Sequence, residues 1–83
     1  MTREEVFEKI QKILMDYLGP EVVKDLSVNS DLKADLGMDS MDILYVAFET
    51  ENAFNVRFED GLLETFTTVS SLVDVVMLKL TKN

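Results

Sequence analysis

The sequence predicts a small all-α protein, a four-helix bundle built from three longer helices and one short helix. Three stretches place apolar residues three and four positions apart, the repeat of a helix buried along one side. The 83 residues, 47% of them hydrophobic, suffice for one compact core and leave no room for a second. Residues 1–83 are therefore expected to form a single domain.

The first helix is predicted over residues 2–18. Thr2 and Glu5 have the spacing of a capping box, in which each side chain accepts a hydrogen bond from the other residue's backbone. Gly19 and Pro20 end the helix, because Gly suits a left-handed cap and Pro interrupts helical hydrogen bonding. The predicted apolar stripe is Val6, Ile10, Ile13, Leu14 and Tyr17, widened by Phe7 and Leu18.

Residues 19–39 have no sustained period and are rich in residues that favour turns. We expect a long ordered loop between the first and second helices, with a helical turn near residues 21–25. Loops of this length are uncommon in small domains and are often functional. The apolar residues expected to anchor it to the core are Val22, Val23, Leu26, Val28, Leu32 and Leu36.

The second helix is predicted over residues 40–53, capped by Asp39 or Ser40. Its clearest apolar stripe is Leu44, Ala47 and Phe48. An extended link over residues 55–58 is expected to lead to one or two helical turns between Asp60 and Thr65.

The last helix is predicted over residues 69–80, capped by Thr67 or Thr68. Its four valines mildly disfavour a helix, but the three- and four-residue spacing of its apolar residues favours one. The predicted buried face is Leu72, Val73, Val76 and Leu80.

The composition excludes several classes of function. The chain has neither Cys nor His, so disulfides, thiolate chemistry and a serine-hydrolase triad are excluded. Asp31, Asp35 and Asp39 do not match the spacing of a calcium loop, and no metal site is predicted. The charged N-terminus does not resemble a signal peptide, and no apolar run could span a bilayer. We expect a cytoplasmic protein without stable membrane insertion.

The net charge of -8 is concentrated in one part of the chain. Residues 31–64 contain nine acidic and two basic residues. Such a surface repels nucleic acid and attracts basic patches on proteins. The same charge is also compatible with simple solubility.

Ser40 stands at the predicted start of the second helix, after a polar turn that contains Gly37. A serine there is ordinarily a helix cap. The helix start also offers free N–H groups and positive partial charge, which suit a phosphodiester. The acidic neighbours Asp35, Asp39 and Asp42 disfavour a freely bound phosphate, whereas a covalently attached one would be tolerated.

A family resemblance supports covalent attachment. The eight residues concerned are Asp35-Leu36-Gly37-Met38-Asp39-Ser40-Met41-Asp42. This stretch resembles the phosphopantetheine-attachment motif of acyl carrier proteins, Asp-Leu-Gly-x-Asp-Ser-Leu-Asp. The resemblance implies that Ser40, flanked by Asp39, Met41 and Asp42, carries a 4'-phosphopantetheine arm. The protein would then not be an enzyme but a carrier, which shuttles acyl thioesters between enzymes of fatty-acid, lipid or polyketide-type biosynthesis.

The resemblance also implies partners. These are a phosphopantetheinyl transferase and acyl-transferring, condensing or synthetase enzymes with basic docking patches. The carrier itself is expected to be a monomer. The residues expected to dock partners are Asp35, Asp39, Met41, Asp42, Tyr45 and Glu49. The residues that would line an acyl chain, or simply form the core, are Leu44, Phe48, Phe54, Phe58 and Phe66.

Two departures from the motif's usual surroundings affect the expected pathway. Met41 replaces the usual Leu, and Tyr45 stands where fatty-acid carriers often have Glu. We therefore expect a specialised carrier that serves a dedicated pathway. The alternative is an acidic interaction module that has the same fold but never carries the arm.

Overall fold

The computed structural model describes residues 1–81. The elements are α1 (Arg3–Leu18), α2 (Pro20–Val23), α3 (Ser40–Phe54), a 3₁₀ helix (Asp60–Thr65) and α4 (Val69–Thr81). Within these residues there is no strand, only one isolated antiparallel bridge between Asp31 and Thr68. The predicted all-α bundle is confirmed, and the helical turn predicted near 21–25 is the short helix α2.

Helix α1 begins and ends at the predicted residues, although Gly19 does not adopt the left-handed helical conformation of the predicted cap. The Thr2 hydroxyl accepts from the Glu5 N–H at 3.2 Å, and the Glu5 carboxylate accepts from the Thr2 N–H at 2.8 Å. Gly19 ends the helix with φ of 97°, a backbone conformation that a side chain would strain. The residues of α1 that reach the core are Val6, Ile10 and Leu14. Tyr17, predicted in this stripe, is instead exposed, because its ring packs on another tyrosine at the surface.

The long loop is held to the core and to the start of α4. The Leu32 N–H donates to the Thr67 carbonyl at 2.9 Å, and the Val69 N–H donates to the Ser30 carbonyl at 3.0 Å. The predicted anchors that are buried are Val23, Leu32 and Leu36. Val22 and Val28 are exposed, so the prediction was wrong for these two residues.

Of the predicted stripe of α3, only Ala47 is fully buried. The buried residues of the helix are Ile43, Val46, Ala47, Thr50 and Phe54, whereas Leu44 is half-buried and Phe48 is exposed. The polar residue Thr50 lies in the core because its hydroxyl donates to the Val46 carbonyl at 2.7 Å. A stripe drawn through apolar residues alone therefore placed the core side of α3 only in part.

The C-terminal third closes the bundle. The 3₁₀ helix occupies the predicted residues, and Phe66 after it is buried. Thr68 caps α4, since its hydroxyl accepts from the Ser71 N–H at 3.2 Å. The buried residues of α4 are Val69, Leu72, Val73 and Val76; Leu80, predicted with them, is half-buried.

Among residues 1–81, no helix combines the length and the apolar character that crossing a bilayer requires.

Candidate functional site

Ser40 is the first residue of α3, but it does not cap the helix. Asp39 is the cap: its carboxylate accepts from the Asp42 N–H at 2.9 Å, and the Asp42 carboxylate accepts from the Asp39 N–H at 3.0 Å. This reciprocal pair satisfies two backbone N–H groups at the start of the helix without using the serine side chain. The Ser40 side chain is exposed and is left free for another role.

The other serine hydroxyls are all occupied locally. Ser27 Oγ accepts from the Asn29 N–H, Ser30 Oγ accepts from the Ser27 N–H, and Ser71 Oγ donates to the Thr68 carbonyl. The hydroxyls of Thr68 and Ser70 lie 3.5 Å apart. In the part of the chain that the structure describes, no hydrogen bond involves the Ser40 hydroxyl. It is thus the serine hydroxyl most available for modification.

The turn before Ser40 is built by the motif residues themselves. Asp35 accepts from the Asp31 N–H at 2.7 Å, so this predicted docking residue also fixes the loop. Gly37 has φ of 70°, which favours glycine at this position. The buried side chains of Leu36 and Met38 fix the turn on the core. Ser40 is therefore presented on a defined backbone.

An open cavity of about 600 Å³ lies directly beside Ser40. Ser40 and Met41 of α3 line it together with Leu63 of the 3₁₀ helix. Leu44 and Phe66, two of the five predicted lining residues, also line this cavity. Asp31, Lys33, Asp60 and Glu64 contribute charged groups to the lining. The lining thus combines apolar and charged side chains with the serine.

A second cavity, of about 560 Å³, adjoins the first between α3 and the 3₁₀ helix. Leu44 and Leu63 line both cavities, and the predicted residues Phe48 and Phe58 line the second. Phe54 lines neither. It is buried in the core with the Lys9 ammonium 5.8 Å from its ring centroid. Leu63 was not among the predicted lining residues, because nothing in the sequence indicates which side of the 3₁₀ helix faces α3.

Several of the predicted docking residues share one surface of α3. Met41 is 70% exposed and Tyr45 is 45% exposed; Asp42 and Glu49 lie on the same helix. Tyr17 of α1 joins this group: its hydroxyl donates to Asp42 Oδ1 at 2.5 Å, and its ring stacks on Tyr45 with centroids 4.5 Å apart. Sequence reasoning placed Tyr17 in the core, because spacing alone does not separate the edge of an apolar stripe from its centre.

These contacts shift the pKa values of the groups involved. The Tyr17 hydroxyl, together with the Asp39 backbone N–H, lowers the pKa of the Asp42 carboxyl. In return the Asp42 carboxylate raises the pKa of Tyr17. Interaction with the Glu49 carboxylate raises the pKa of Tyr45. Both phenols therefore remain protonated, and Asp42 remains ionised, at neutral pH.

The Tyr17–Asp42 hydrogen bond predicts a measurable titration. Tyr45→Phe leaves Tyr17 as the sole tyrosine, and its absorbance should titrate above the ordinary tyrosine pKa. Adding Asp42→Asn should lower that pKa, because the amide cannot repel a tyrosinate. The stabilisation from the raised pKa is present below the unfolded pKa of about 10 and is lost as the pH rises through the folded value. Equal pKa values in the two proteins would contradict the contact.

Comparison with known proteins places the chain in a family. Residues 8–76 match the family model described as a phosphopantetheine attachment site. The acyl carrier protein of Rubrobacter xylanophilus is 40% identical over 80 residues, covering 93% of this chain and 94% of the relative. The chain belongs to the acyl carrier protein family.

Further members resemble the chain in sequence and in structure. The acyl carrier protein of Coprothermobacter proteolyticus is 34% identical over 76 residues, or 92% of each chain. The crystal structure of an acyl carrier protein from Thermotoga maritima superposes with a TM-score of 0.84 at 26% identity, covering 96% of this chain and 92% of the other. An acyl carrier protein from Enterococcus faecalis gives a TM-score of 0.76 at 30% identity, covering 95% and 99%.

Membership settles the general class of this protein. Acyl carrier proteins are carriers and not enzymes, and they work with phosphopantetheinyl transferases and other enzymes. The attachment-site family implies a covalently attached 4'-phosphopantetheine.

Proposed function

We propose that the Ser40 hydroxyl is the attachment point of the 4'-phosphopantetheine arm, and that the protein shuttles acyl groups between enzymes of fatty-acid, lipid or polyketide-type biosynthesis. The observation that carries this proposal is the exposed Ser40 hydroxyl, which has no hydrogen bond within residues 1–81 and stands at the start of α3. When bound, the arm supplies a terminal thiol that holds the acyl group as a thioester.

The residues around Ser40 fit a phosphodiester at this position. The Asp39–Asp42 capping pair uses the N–H of Asp42, and the positive end of the α3 dipole remains beside the serine. Asp39 and Asp42 disfavour a free phosphate through charge repulsion, whereas a covalent bond holds the group despite them. The residues thus support attachment at Ser40 and not reversible binding of an anion.

The two adjoining cavities are suited to hold part of an acyl chain. Ser40 stands beside the first cavity, and the second extends along α3. Each methylene that leaves water contributes about 0.8 kcal/mol. We propose that Leu44, Phe48, Phe58 and Phe66 line the chain, together with Leu63. Phe54 is not included, because it is part of the closed core.

Leu63→Trp tests the role of the cavities. Attaching a long acyl chain should raise the melting temperature of the wild-type protein, because a chain bound only by the folded state stabilises that state. The larger indole at position 63 should reduce this increase by more than half. Leu62→Trp is the control, since Leu62 lines neither cavity. An unchanged increase in Leu63→Trp would show that the chain lies elsewhere.

The exposed surface of α3 and of the turn before it is proposed to dock the partner enzymes. Asp35, Asp39, Asp42 and Glu49 supply negative charge, which favours basic patches on a transferase or an acyl-transferring enzyme. Met41 and Tyr45 add apolar area beside the charge. Because Tyr45 differs from the Glu common in fatty-acid carriers, we propose that the pathway is a dedicated one.

The proposed function is tested by weighing the intact protein after incubation with coenzyme A and a promiscuous phosphopantetheinyl transferase. We expect a mass gain equal to one phosphopantetheine group. Another acyl carrier protein in a parallel reaction shows that the transferase is active. No gain under these conditions would reject the proposal and favour the alternative, an acidic interaction module without the arm.

A further inference from the structure

We propose that the stacked Tyr17–Tyr45 pair receives an arginine side chain of a partner protein, so that the docking surface extends from α3 onto α1. This inference rests on the proposed function for its partner, an enzyme that acts on the arm. It goes beyond the proposed function in two respects. It assigns an arginine to the partner, and it adds α1 to the docking surface.

The first observation is the exposure of two stacked aromatic rings. Tyr17 and Tyr45 remain 38% and 45% exposed, although their ring centroids are only 4.5 Å apart with planes 24° from parallel. Stacking covers one side of each ring and leaves aromatic surface facing the solvent. An open cavity of about 330 Å³ lies against the pair, lined also by Ile13, Asp16 and Glu49. The rings thus form the wall of a surface pocket and are not core.

The second observation is the charge around the pair. Asp16 and Glu49 line the pocket, and the Asp42 carboxylate accepts a hydrogen bond from the Tyr17 hydroxyl. Within residues 1–81 these three carboxylates form no ion pair with Lys or Arg; the three ion pairs lie elsewhere. Among residues 1–81, no basic residue lines the pocket. A cation from outside the chain would therefore find aromatic surface and unpaired negative charge together.

The guanidinium group fits this combination better than an ammonium group does. It is planar, is weakly hydrated, stacks on aromatic rings and donates two parallel hydrogen bonds to a carboxylate. A lysine ammonium is strongly hydrated and is attracted mainly as a point charge. Nucleic acid and anionic lipid surfaces are disfavoured, because their phosphates would be repelled by Asp16, Asp42 and Glu49. The geometry thus favours a protein partner that presents arginine.

The test compares two capped peptides of equal length and charge, one containing two arginines and the other two lysines. Each is titrated into the isotopically labelled protein, and the dissociation constants are measured from NMR shifts. We expect the arginine peptide to bind at least about threefold more tightly. The shifts should centre on residues 13–17 and 42–49. Equal affinities, or shifts centred elsewhere, would overturn the proposal.

Two double variants separate the aromatic rings from the hydroxyls. Tyr17→Phe with Tyr45→Phe keeps both rings, and Tyr17→Leu with Tyr45→Leu keeps apolar side chains without rings. Neither has a hydroxyl, so the two proteins differ at these positions in aromatic character. The arginine preference should persist in the Phe pair and disappear in the Leu pair. A preference that persists in the Leu pair, or that is lost in both, would overturn the proposal.

The same samples distinguish this proposal from the proposed function. Melting curves confirm that both double variants are folded, and the mass gain with a transferase reports on Ser40. In the wild type or the Phe pair, a mass gain without arginine preference would reject only the role of the tyrosine pair. An arginine preference without a mass gain would support the pocket and reject the carrier function.

Discussion

Ser40→Ala is expected to abolish the mass gain with coenzyme A and a phosphopantetheinyl transferase completely. The reason is chemical, because alanine has no hydroxyl to form the phosphodiester. The fold should be retained, since Asp39 and not Ser40 caps α3. Away from such structural features, surface substitutions usually change stability by no more than about 0.5 kcal/mol. The melting temperature of Ser40→Ala should therefore stay close to that of the wild type.

Ser27→Ala is the matched control for this experiment. Ser27 is also exposed and lies in the long loop before α3, but its hydroxyl accepts from the Asn29 N–H. The Ser27→Ala protein should gain the same mass as the wild type. A mass gain in Ser40→Ala, or its loss in Ser27→Ala, would contradict the assignment of Ser40.

Leu32→Ala is expected to be the most destabilising of the substitutions considered. Leu32 is fully buried, and its backbone joins the loop to Thr67 and to Met38 by hydrogen bonds. Removing a buried leucine side chain typically costs about 2–5 kcal/mol. At roughly 0.05–0.15 kcal/mol per residue, a domain of this size has a total stability of only about 4–12 kcal/mol. The variant should lose a large part of its stability.

Urea denaturation, followed by circular dichroism, measures this loss. Leu78→Ala is the control, because Leu78 on α4 is 54% exposed and alanine favours a helix. We expect a much lower midpoint for Leu32→Ala and little change for Leu78→Ala. Equal midpoints would show that the loop is not fixed to the core through Leu32.

The ends of the helices were predictable from the sequence because they depend on local chemistry. The Thr2–Glu5 capping box, the glycine after α1 and the threonine cap of α4 each satisfy backbone groups within a few residues. Those signals stand in the sequence at short fixed spacings. The structure places all three as predicted.

The buried sides of the helices were less predictable because they depend on tertiary packing. In α3 the core includes Thr50, whose hydroxyl bonds within the helix, and excludes Phe48. Hydrophobicity alone ranks these two residues in the opposite order. Tyr17 was misplaced for a related reason, since a tyrosine can pack through its ring and still keep its hydroxyl at the surface.

The candidate site was predictable in part. The motif around Ser40 is contiguous, so the resemblance identified it from the sequence. The residues that line the cavities are not contiguous in sequence: α3 supplies Leu44, and the 3₁₀ helix supplies Leu63. Which residues face each other across that gap is decided by the packing of two elements. The Tyr17–Tyr45 pair likewise joins residues from two helices that are far apart in sequence.

The most direct test of the central proposal is to locate the attached group on the modified protein. Digestion with trypsin should release residues 34–57, and Ser40 is the one serine in that peptide. Fragmentation by tandem mass spectrometry then assigns the added mass to a residue. We predict that the entire added mass lies on Ser40. Added mass on any other residue, or none in this peptide after the protein has gained it, would contradict the account.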